Sequence, residues 1–431
     1  MSVGSVGSRL AREPRSKVSI DAERLLGRIE TFAGIGRNTT GGIDREGFSL
    51  ADDAARAKLL RQAERAGLVG SVDAAGNVLV RGPAATPGRR TLLIGSHLDT
   101  VVNGGRLDGA YGVLAGLEVL QTVVEAGVEL SNEPVVVAFA NEEGARFPQP
   151  FWGSKALAGR LGELPAEPLS HDGVPLREPL ARAGGDLDRL DTAAWPPGSV
   201  AAYLELHVEQ GPVLERSGAP IGVVSGITGR TVLAIELHGV AGHAGTTPME
   251  LRHDPLPTAA RMVLAIEALA REQRLCRVAT VGRFAVRPNS PNTIAEEVHL
   301  TVDLRDCDPV QLELAEHAVR NLVATIDEER HIRVTVSVDT RSGPAQADQA
   351  LQELIVDSAD ELGYRYQKLP SGAGHDAQIV AGIAPIGMIF VPSIGGLSHV
   401  PDEDTAPADL VAGAEVLLRT ALRHGHRWST S

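Results

Sequence analysis

Four short apolar segments of the chain each lead into His, Asp or Glu residues, and this pattern constrains the fold most. The segments are TLLIGSH, PVVVAFA, AYLELHV and PIGMIFV. Continuous apolar runs of this length are typical of strands that are buried on both faces of a sheet. Segments with helical spacing, such as GAYGVLAGLEVLQTVVEAG, alternate with them. The alternation predicts an α/β fold with a mixed, largely parallel sheet covered by helices on both faces.

One part of the sequence has a different order of elements. Residues 227–342 read as strand, helix, strand, strand, helix, strand, the β-α-β-β-α-β order of a ferredoxin-like unit. A chain of 431 residues has room for two domains. We therefore expect a discontinuous catalytic domain, 18–226 and 343–425, and an inserted ferredoxin-like domain. Residues 1–17 and 426–431 are expected to be flexible tails.

Composition excludes several classes of protein. The net charge of −14 does not provide the basic face that nucleic-acid binding requires. The sequence contains neither an apolar run long enough to span a membrane nor the apolar core of a secretory signal, so we expect a cytoplasmic protein. Cys276 and Cys307 do not form a metal or disulfide pattern. Solvated surface or lid positions are expected for His171, His238, His253, His299, His317, His331, His424 and His426.

Metal-type ligands follow the predicted strands. The candidates are His97, Asp99, Asp108, Glu142, Glu143, His207 and His399. Because ligands of open α/β sheets bind at the carboxyl ends of strands, we expect these side chains to converge. Imidazole and carboxylate suit Zn²⁺, and also Mn²⁺, Co²⁺ or Ni²⁺. The set predicts two divalent ions bridged by Asp108. His97 and His207 would hold one ion, while His399 and one glutamate would hold the other.

The remaining acids have separate predicted roles. One glutamate of the Glu142-Glu143 doublet completes the ligand set, and the other can act as general base and then acid. The alternative is two solvated glutamates after a strand. Asp99 is expected to accept the second N–H of the His97 imidazole and fix its tautomer.

Motifs along nearly the whole chain, from about Asp21 to Arg423, resemble one family. They are GSHLDTV, RLDGAYGVLAG, AFANEEGARFP, GSKALAG, ELHVEQGPVLE, GHAGTTPM, PNTI, DLRD, GAGHDA and SHVPDED. These motifs resemble the hydantoinase/carbamoylase branch of the dizinc aminoacylase–carboxypeptidase family. Its members include N-carbamoyl-L-amino-acid hydrolases, β-ureidopropionases and allantoate amidohydrolases. The resemblance implies a metallo-exopeptidase-like catalytic domain with an inserted lid and dimerisation domain.

The resemblance also implies residue roles. It makes Glu142 the general acid/base, and it gives the metal ligands as His97, Asp108, Glu143, His207 and His399. It further implies that His243 stabilises the oxyanion, reaching the neighbouring site of a homodimer. Asn292 and Arg305 would hold a substrate carboxylate, and Gln210 and His375 would line the pocket. Without the resemblance, His243 and Asn292 could be turn residues and Arg305 an ion-pair residue.

The function implied is hydrolysis of a carbamoyl C–N bond to an amine, ammonia and carbon dioxide. The substrate would be an N-carbamoyl amino acid, a related ureido acid or allantoate. An N-acyl-amino-acid or dipeptide hydrolase of the same family is the nearer alternative. A binding protein with a degraded site is the more distant alternative, and the intact Glu142 argues against it.

Overall fold

The computed structural model describes residues 18–83, 88–330 and 332–427. The predicted tail at 1–17 lies outside them. In chain order the strands are β1 (Val69–Val72), β2 (Val78–Arg81), β3 (Thr91–His97), β4 (Glu133–Phe139), β5 (Val200–Val208), β6 (Ile221–Ile227), β7 (Gly229–His238), β8 (Gly242–His243), β9 (Val278–Arg287), β10 (Thr293–Ile294), β11 (Glu297–Asp306), β12 (Arg333–Ser342), β13 (Ala345–Gln346), β14 (Tyr366–Ser371) and β15 (Ile386–Val391). The α-helices are α1 (Ala22–Ala33), α2 (Leu50–Arg65), α3 (Ala110–Glu125), α4 (Trp152–Leu157), α5 (Arg177–Arg182), α6 (Val213–Ser217), α7 (Pro255–Arg271), α8 (Pro309–Arg330), α9 (Gln349–Glu361), α10 (Asp376–Val380) and α11 (Pro407–Arg427). None of the described helices is long and apolar enough to cross a membrane.

The chain divides into two compact units. The first comprises the chain up to Val223, Ala350–Gln367 and the chain from Gly382 onward. The second comprises Val224–Gln349 and Lys368–Ala381. From the sequence, Lys368–Ala381 is predicted to be part of the catalytic domain. The segment groups with the second unit because it contacts that unit, for example where Thr228 donates its backbone N–H to Ser371 at 3.0 Å.

The first unit contains a mixed sheet with strand order β1-β2-β4-β3-β5-β15, which the first residues of β6 extend. β4, β3, β5 and β15 run parallel, whereas β2 and β6 pair with them in antiparallel fashion. Every residue of β3, β5 and β15 is buried, as expected for central strands. α1, α3 and α11 contribute side chains to the same core. The predicted α/β fold with a largely parallel central sheet is confirmed.

The last helix corrects one detail of the sequence analysis. α11 runs to Arg427, and so it includes His424, which was expected in a solvated position. The side chain of His424 is only 2% exposed, and its Nδ1 lies 3.5 Å from Nδ2 of Asn132. Polar residues near the end of the helix concealed its inward-facing side in the sequence. Residues 428–431 lie outside the described part of the chain.

The second unit contains an antiparallel sheet with order β12-β7-β11-β9. Numbered along this unit, the order is 4-1-3-2, that of ferredoxin-like sheets. Residues in β11 alternate between buried and half-buried, and its buried residues pack in one core with side chains of α7 and α8. β8 and β10 form a separate two-stranded ribbon in which His243 pairs with Thr293.

Candidate metal centre

Four neighbouring parallel strands carry the predicted ligands to one edge of the sheet. The carboxyl ends of β3, β4, β5 and β15 meet there because the strands run in the same direction. The strand ends and the loops after them carry His97, Asp108, Glu142, Glu143, His207 and His399.

Asp108 lies at the centre of these residues. Its Oδ1 lies 3.1 Å from Nε2 of His207 and 3.5 Å from Nε2 of His97. Its Oδ2 lies 3.1 Å from Nε2 of His399. The two oxygens of one buried carboxylate therefore face different imidazoles, as a bridging ligand requires.

The glutamate doublet lies beside Asp108. Oε1 of Glu143 is 3.6 Å from Nε2 of His399, and Oε2 of Glu142 is 3.7 Å from Nε2 of His97. Potential ligand atoms lie within 4.8 Å of one another in each of three overlapping sets. These sets are His97/Asp108/His207, Asp108/Glu143/His399 and His97/Glu142/Glu143. By distance alone, either glutamate can bind an ion.

The imidazoles are oriented in a way that suits metal binding. Nδ1 of His97 lies 2.9 Å from the backbone oxygen of Asp99, and Nδ1 of His207 lies 2.9 Å from that of Val208. A carbonyl oxygen only accepts hydrogen bonds, so each Nδ1 carries a proton. The Nε2 lone pair of a neutral ring then faces the Asp108 carboxylate. A cation between them removes the repulsion, and the donor set therefore fits a metal ion.

Asp99 differs from its predicted role. Its carboxylate oxygen lies 3.8 Å from Nδ1 of His97, beyond hydrogen-bond distance, because the backbone carbonyl of Asp99 occupies that position. The carboxylate instead accepts the backbone N–H groups of Glu142 and Glu143, each at 3.1 Å. Asp99 thus positions the doublet with its side chain and His97 with its backbone.

The pKa values in the cluster are shifted because several acidic side chains are buried close together. Burial, reinforced by the nearby Asp108, raises the pKa of Glu143 to about 7. A hydrogen bond to Asp108 raises the pKa of His399 to about 9 despite partial burial. Burial by itself would raise the pKa of Asp108, but hydrogen bonds from His207, His399 and His97 hold this pKa well below its usual value. The metal-free cluster therefore retains protons that a bound cation would replace.

Gln210 contacts the centre directly. Its Nε2 donates to Oδ2 of Asp108 at 2.8 Å and to Oγ of Ser398 at 3.2 Å. Its backbone has a φ of 59°, a left-handed conformation that non-glycine residues rarely adopt. Its backbone N–H donates to Oγ of Ser393 at 3.0 Å, which fixes the turn.

Two predicted substrate residues of the second unit lie side by side. The backbone N–H of Ala244, which follows His243, donates to the backbone oxygen of Asn292 at 2.9 Å. The backbone N–H of Gly245 donates to Nδ1 of the exposed His243 at 3.1 Å. When neutral, this imidazole therefore carries its proton on Nε2 and presents an N–H donor.

Arg305 and His375 occupy other positions in the second unit. Arg305 forms a two-pronged pair with Asp303, at 3.0 Å from Nε and 2.9 Å from Nη2, and its Nη1 donates to the backbone oxygen of Gly372 at 2.6 Å. His375 is buried, and its Nε2 lies 2.8 Å from Oγ of Ser371.

Glu403 and Ser398 also belong to the site, although neither was among the residues predicted from the sequence. Ser398 donates to Oε2 of Glu403 at 2.7 Å, and Glu403 is buried beside Asp108. Burial, together with the charge of Asp108, raises the pKa of Glu403. An acid four residues after His399 was the only signal in the sequence, and it lies in the acidic run DED.

A family model for Peptidase family M20/M25/M40 matches residues 93–423. The chain belongs to this family. Members of Peptidase family M20/M25/M40 are metal-dependent hydrolases that act on C–N bonds. The resemblance in the sequence is therefore confirmed, including its hydantoinase/carbamoylase branch.

Relatives within Peptidase family M20/M25/M40 match almost end to end. An N-carbamoyl-L-amino acid amidohydrolase of Geobacillus stearothermophilus is 41% identical over 401 residues, which are 93% of this chain and 98% of the relative. An allantoate amidohydrolase of Bacillus subtilis (strain 168) is 34% identical over 394 residues, 90% and 94% of the two chains. Among solved structures, a hydantoinase/carbamoylase-family amidase from Burkholderia multivorans has a TM-score of 0.87 and 34% identity, covering 95% and 98%.

Proposed function

We propose that this protein is a dinuclear metal-dependent amidohydrolase that cleaves the carbamoyl group from N-carbamoyl-L-amino acids. The observation that carries this proposal is the Asp108 carboxylate, whose two oxygens face separate imidazoles beside the Glu142-Glu143 doublet. The name of the Geobacillus stearothermophilus relative supports the substrate class. One water and one substrate would give the free amino acid, ammonia and carbon dioxide.

The proposed metal centre divides the ligands between two ions. His97 and His207 would hold one ion, Glu143 and His399 would hold the other, and Asp108 would contribute to both. Ions bound there would make water more acidic and polarise the carbamoyl carbonyl. Zn²⁺ suits this donor set best, and Mn²⁺, Co²⁺ or Ni²⁺ are compatible with it.

Glu142 is the proposed proton carrier. Its carboxylate accepts a proton from the attacking water and then delivers it to the leaving nitrogen as the C–N bond breaks. The residue is 6% exposed, and the hydrogen bond from its backbone N–H to Asp99 fixes its position. A buried, fixed carboxylate suits this role because bulk water does not compete for the proton.

His243 and Asn292 are proposed to bind the reacting end of the substrate. The hydrogen bond from Gly245 to Nδ1 leaves Nε2–H of His243 as a donor for the oxygen on which negative charge develops. The Asn292 side chain, next to it on the ribbon, is proposed to assist in substrate binding. Its Oδ1 already accepts the hydroxyl of Ser290 at 2.9 Å, which leaves the amide N–H groups for the substrate.

Arg305 is proposed to anchor the substrate carboxylate, and Gln210 and His375 are proposed to contact the substrate. The pair with Asp303 holds the guanidinium plane in one orientation. Asp303 pairs with Arg230 as well, at 2.8 Å, so one carboxylate serves two guanidinium groups. Asp303, Arg230 and Arg305 together carry one net positive charge, which a monocarboxylate substrate balances.

The spacing within the second unit supports a homodimer. Arg305 and Glu297 lie at opposite ends of β11, about 26 Å apart at about 3.3 Å per residue. Asn292 precedes Glu297 by five residues in the chain, and His243 follows by five residues His238, which pairs with Glu297. The carboxylate and carbamoyl groups of one amino acid are only a few ångströms apart. We therefore propose that the second unit is both lid and dimerisation domain, and that Arg305 and His243 at each site come from different subunits.

Mixing two inactive variants tests this arrangement. In a heterodimer of His243→Ala and Glu142→Gln subunits, one site combines the intact Glu142 of one subunit with the intact His243 of the other. Random assortment of equal amounts should restore about a quarter of wild-type activity. No recovery from refolded mixtures that are shown to contain heterodimers would exclude sharing of His243 between subunits.

Allantoate is a second candidate substrate, because the Bacillus subtilis relative is named an allantoate amidohydrolase. A panel of N-carbamoyl-L- and D-amino acids, β-ureidopropionate, allantoate and N-acetyl amino acids, assayed for ammonia and amine, separates the candidates. The highest kcat/KM on N-carbamoyl-L-amino acids would support the proposal. The highest kcat/KM on allantoate would identify allantoate as the substrate instead. Turnover of N-acetyl substrates alone would identify an aminoacylase.

A further inference from the structure

Glu403 connects the two loops that carry Asp108 and His399. Its Oε1 accepts the backbone N–H groups of Leu107 at 3.0 Å and Asp108 at 2.9 Å. Its Oε2 accepts the hydroxyl of Ser398 at 2.7 Å. The Glu403 carboxylate therefore binds the backbone of the proposed ligand Asp108 and the side chain of Ser398, which precedes the proposed ligand His399.

The carboxylate of Glu403 is confined to this position. The residue is 2% exposed, and a Cβ atom added at Gly105 would clash with Cδ and Oε1 of its side chain. Gly105 does not have a positive φ. Its lack of a side chain therefore allows the Glu403 carboxylate to approach closely and is not needed for an unusual backbone conformation.

Both loops need support from outside. His399 has a φ of 58° and Gly109, directly after Asp108, has a φ of 62°. The left-handed backbone of the non-glycine His399 is strained and persists when its surroundings over-determine it, whereas Gly109 adopts its positive φ without strain. Gly109 is the N-cap of α3 and has no side chain to cap the helix. The backbone N–H groups just before it donate to Glu403, and would be buried without a partner if that carboxylate were removed.

We infer that Glu403 is a positioning residue that sets the separation between Asp108 and His399 and thereby the affinity of the metal centre. The inference rests on the proposed function, because it assumes that these two residues bind ions. Glu403 acts through the ligand backbone, and its two oxygens are occupied by Leu107, Asp108 and Ser398.

Two substitutions separate position from charge. Glu403→Gln retains the length of the side chain and an oxygen that can accept both backbone N–H groups. Glu403→Asp retains the charge but is one methylene too short to reach them. Zn²⁺ affinity, measured by competition with a chromogenic chelator, should fall about 10- to 100-fold in Glu403→Asp. This is the range found when a residue that is hydrogen-bonded to a metal ligand is replaced. Glu403→Gln should bind Zn²⁺ more tightly than Glu403→Asp.

Two control variants replace acidic residues that resemble Glu403 in position or in burial but do not make its hydrogen bonds. Asp404→Asn alters the adjacent residue, whose partly exposed pair with Arg106 joins the same loops at 2.7 Å. Glu118→Gln alters a fully buried glutamate that pairs with Arg24 and Arg28. Both should retain wild-type Zn²⁺ affinity, although Glu118→Gln should lower the thermal midpoint.

The outcomes distinguish this inference from the proposed function. Wild-type protein that binds no Zn²⁺ would refute the metal centre itself. Wild-type binding together with Glu403→Asp affinity equal to or above that of Glu403→Gln would refute the positioning role. If either Glu403 variant fails to fold, Gly105→Ala provides the same test by displacing the carboxylate. It should also weaken Zn²⁺ binding about tenfold or more, and unchanged affinity would refute the inference.

Discussion

The side chain of Asp99 accepts the backbone N–H of Glu142 at 3.1 Å, and its second oxygen accepts that of Glu143 at the same distance. Asp99 is 1% exposed, and its own backbone oxygen lies 2.9 Å from Nδ1 of His97. This one residue therefore orients a proposed base and two proposed ligands.

Asp99→Asn should impair both catalysis and metal binding. The amide offers one acceptor where two N–H groups need partners, so the doublet must shift. We expect kcat and Zn²⁺ affinity each to fall about 10- to 100-fold. Asp73→Asn is the control, because Asp73 accepts the backbone N–H groups of Ala75 and Asn77 on one oxygen in a turn after β1, so its amide can keep both hydrogen bonds. Equal loss in both variants would indicate a general folding effect.

The two glutamates of the doublet should fail in different ways. Glu142→Gln should retain both ions and lower kcat about 100- to 10,000-fold, because the amide cannot carry a proton. Glu143→Gln should lose metal first and recover activity in excess Zn²⁺. Metal content by mass spectrometry and kcat across a Zn²⁺ titration test the assignment. The opposite pattern would exchange the two roles.

Arg305→Lys should raise KM for carboxylate substrates about tenfold or more, since an ammonium group cannot reproduce a planar two-pronged pair. kcat should change less, because the carboxylate remains bound throughout the reaction. Arg341→Lys is the control on β12, where Arg341 pairs with Glu316 away from Asp303. Unchanged KM in Arg305→Lys would remove the anchor role.

Metal affinity should increase with pH. In the metal-free protein the pKa of His399 is raised to about 9 and that of Glu143 to about 7. The ion held by His399 and Glu143 must therefore displace a proton from His399 below pH 9 and another from Glu143 below pH 7, and the raised pKa values of His97 and His207 make an ion at those residues displace protons as well. Apparent Zn²⁺ affinity should rise about tenfold or more per pH unit between pH 7 and 9, and more steeply below pH 7. Calorimetric titration in buffers of different ionisation enthalpy counts the protons, and affinity that is independent of pH would contradict this.

The sequence was sufficient to predict the four central parallel strands and the residues that follow them. Buried runs such as those before His97 and His207 have a strong apolar signature, and parallel strands bring their carboxyl ends together. The close approach of Asp108 to both histidines follows from that topology.

Contacts that depend on backbone direction could not be predicted. Whether His97 meets the carboxylate or the carbonyl of Asp99 depends on local dihedral angles, and the carbonyl is the partner in the structure. Glu403 is flanked by two further acids, and sequence alone does not show which of the three is buried. The pairing of Arg305 with Asp303, two residues earlier on the same face of β11, likewise depends on the direction of the side chains.

The most direct test is the release of ammonia and free amino acid from an N-carbamoyl-L-amino acid by the Zn²⁺-loaded protein. We predict equal amounts of both products, loss of both on chelation, recovery with Zn²⁺, and turnover about 100- to 10,000-fold lower in metal-loaded Glu142→Gln. Equal turnover in metal-free protein, or undiminished turnover by Glu142→Gln, would contradict the account.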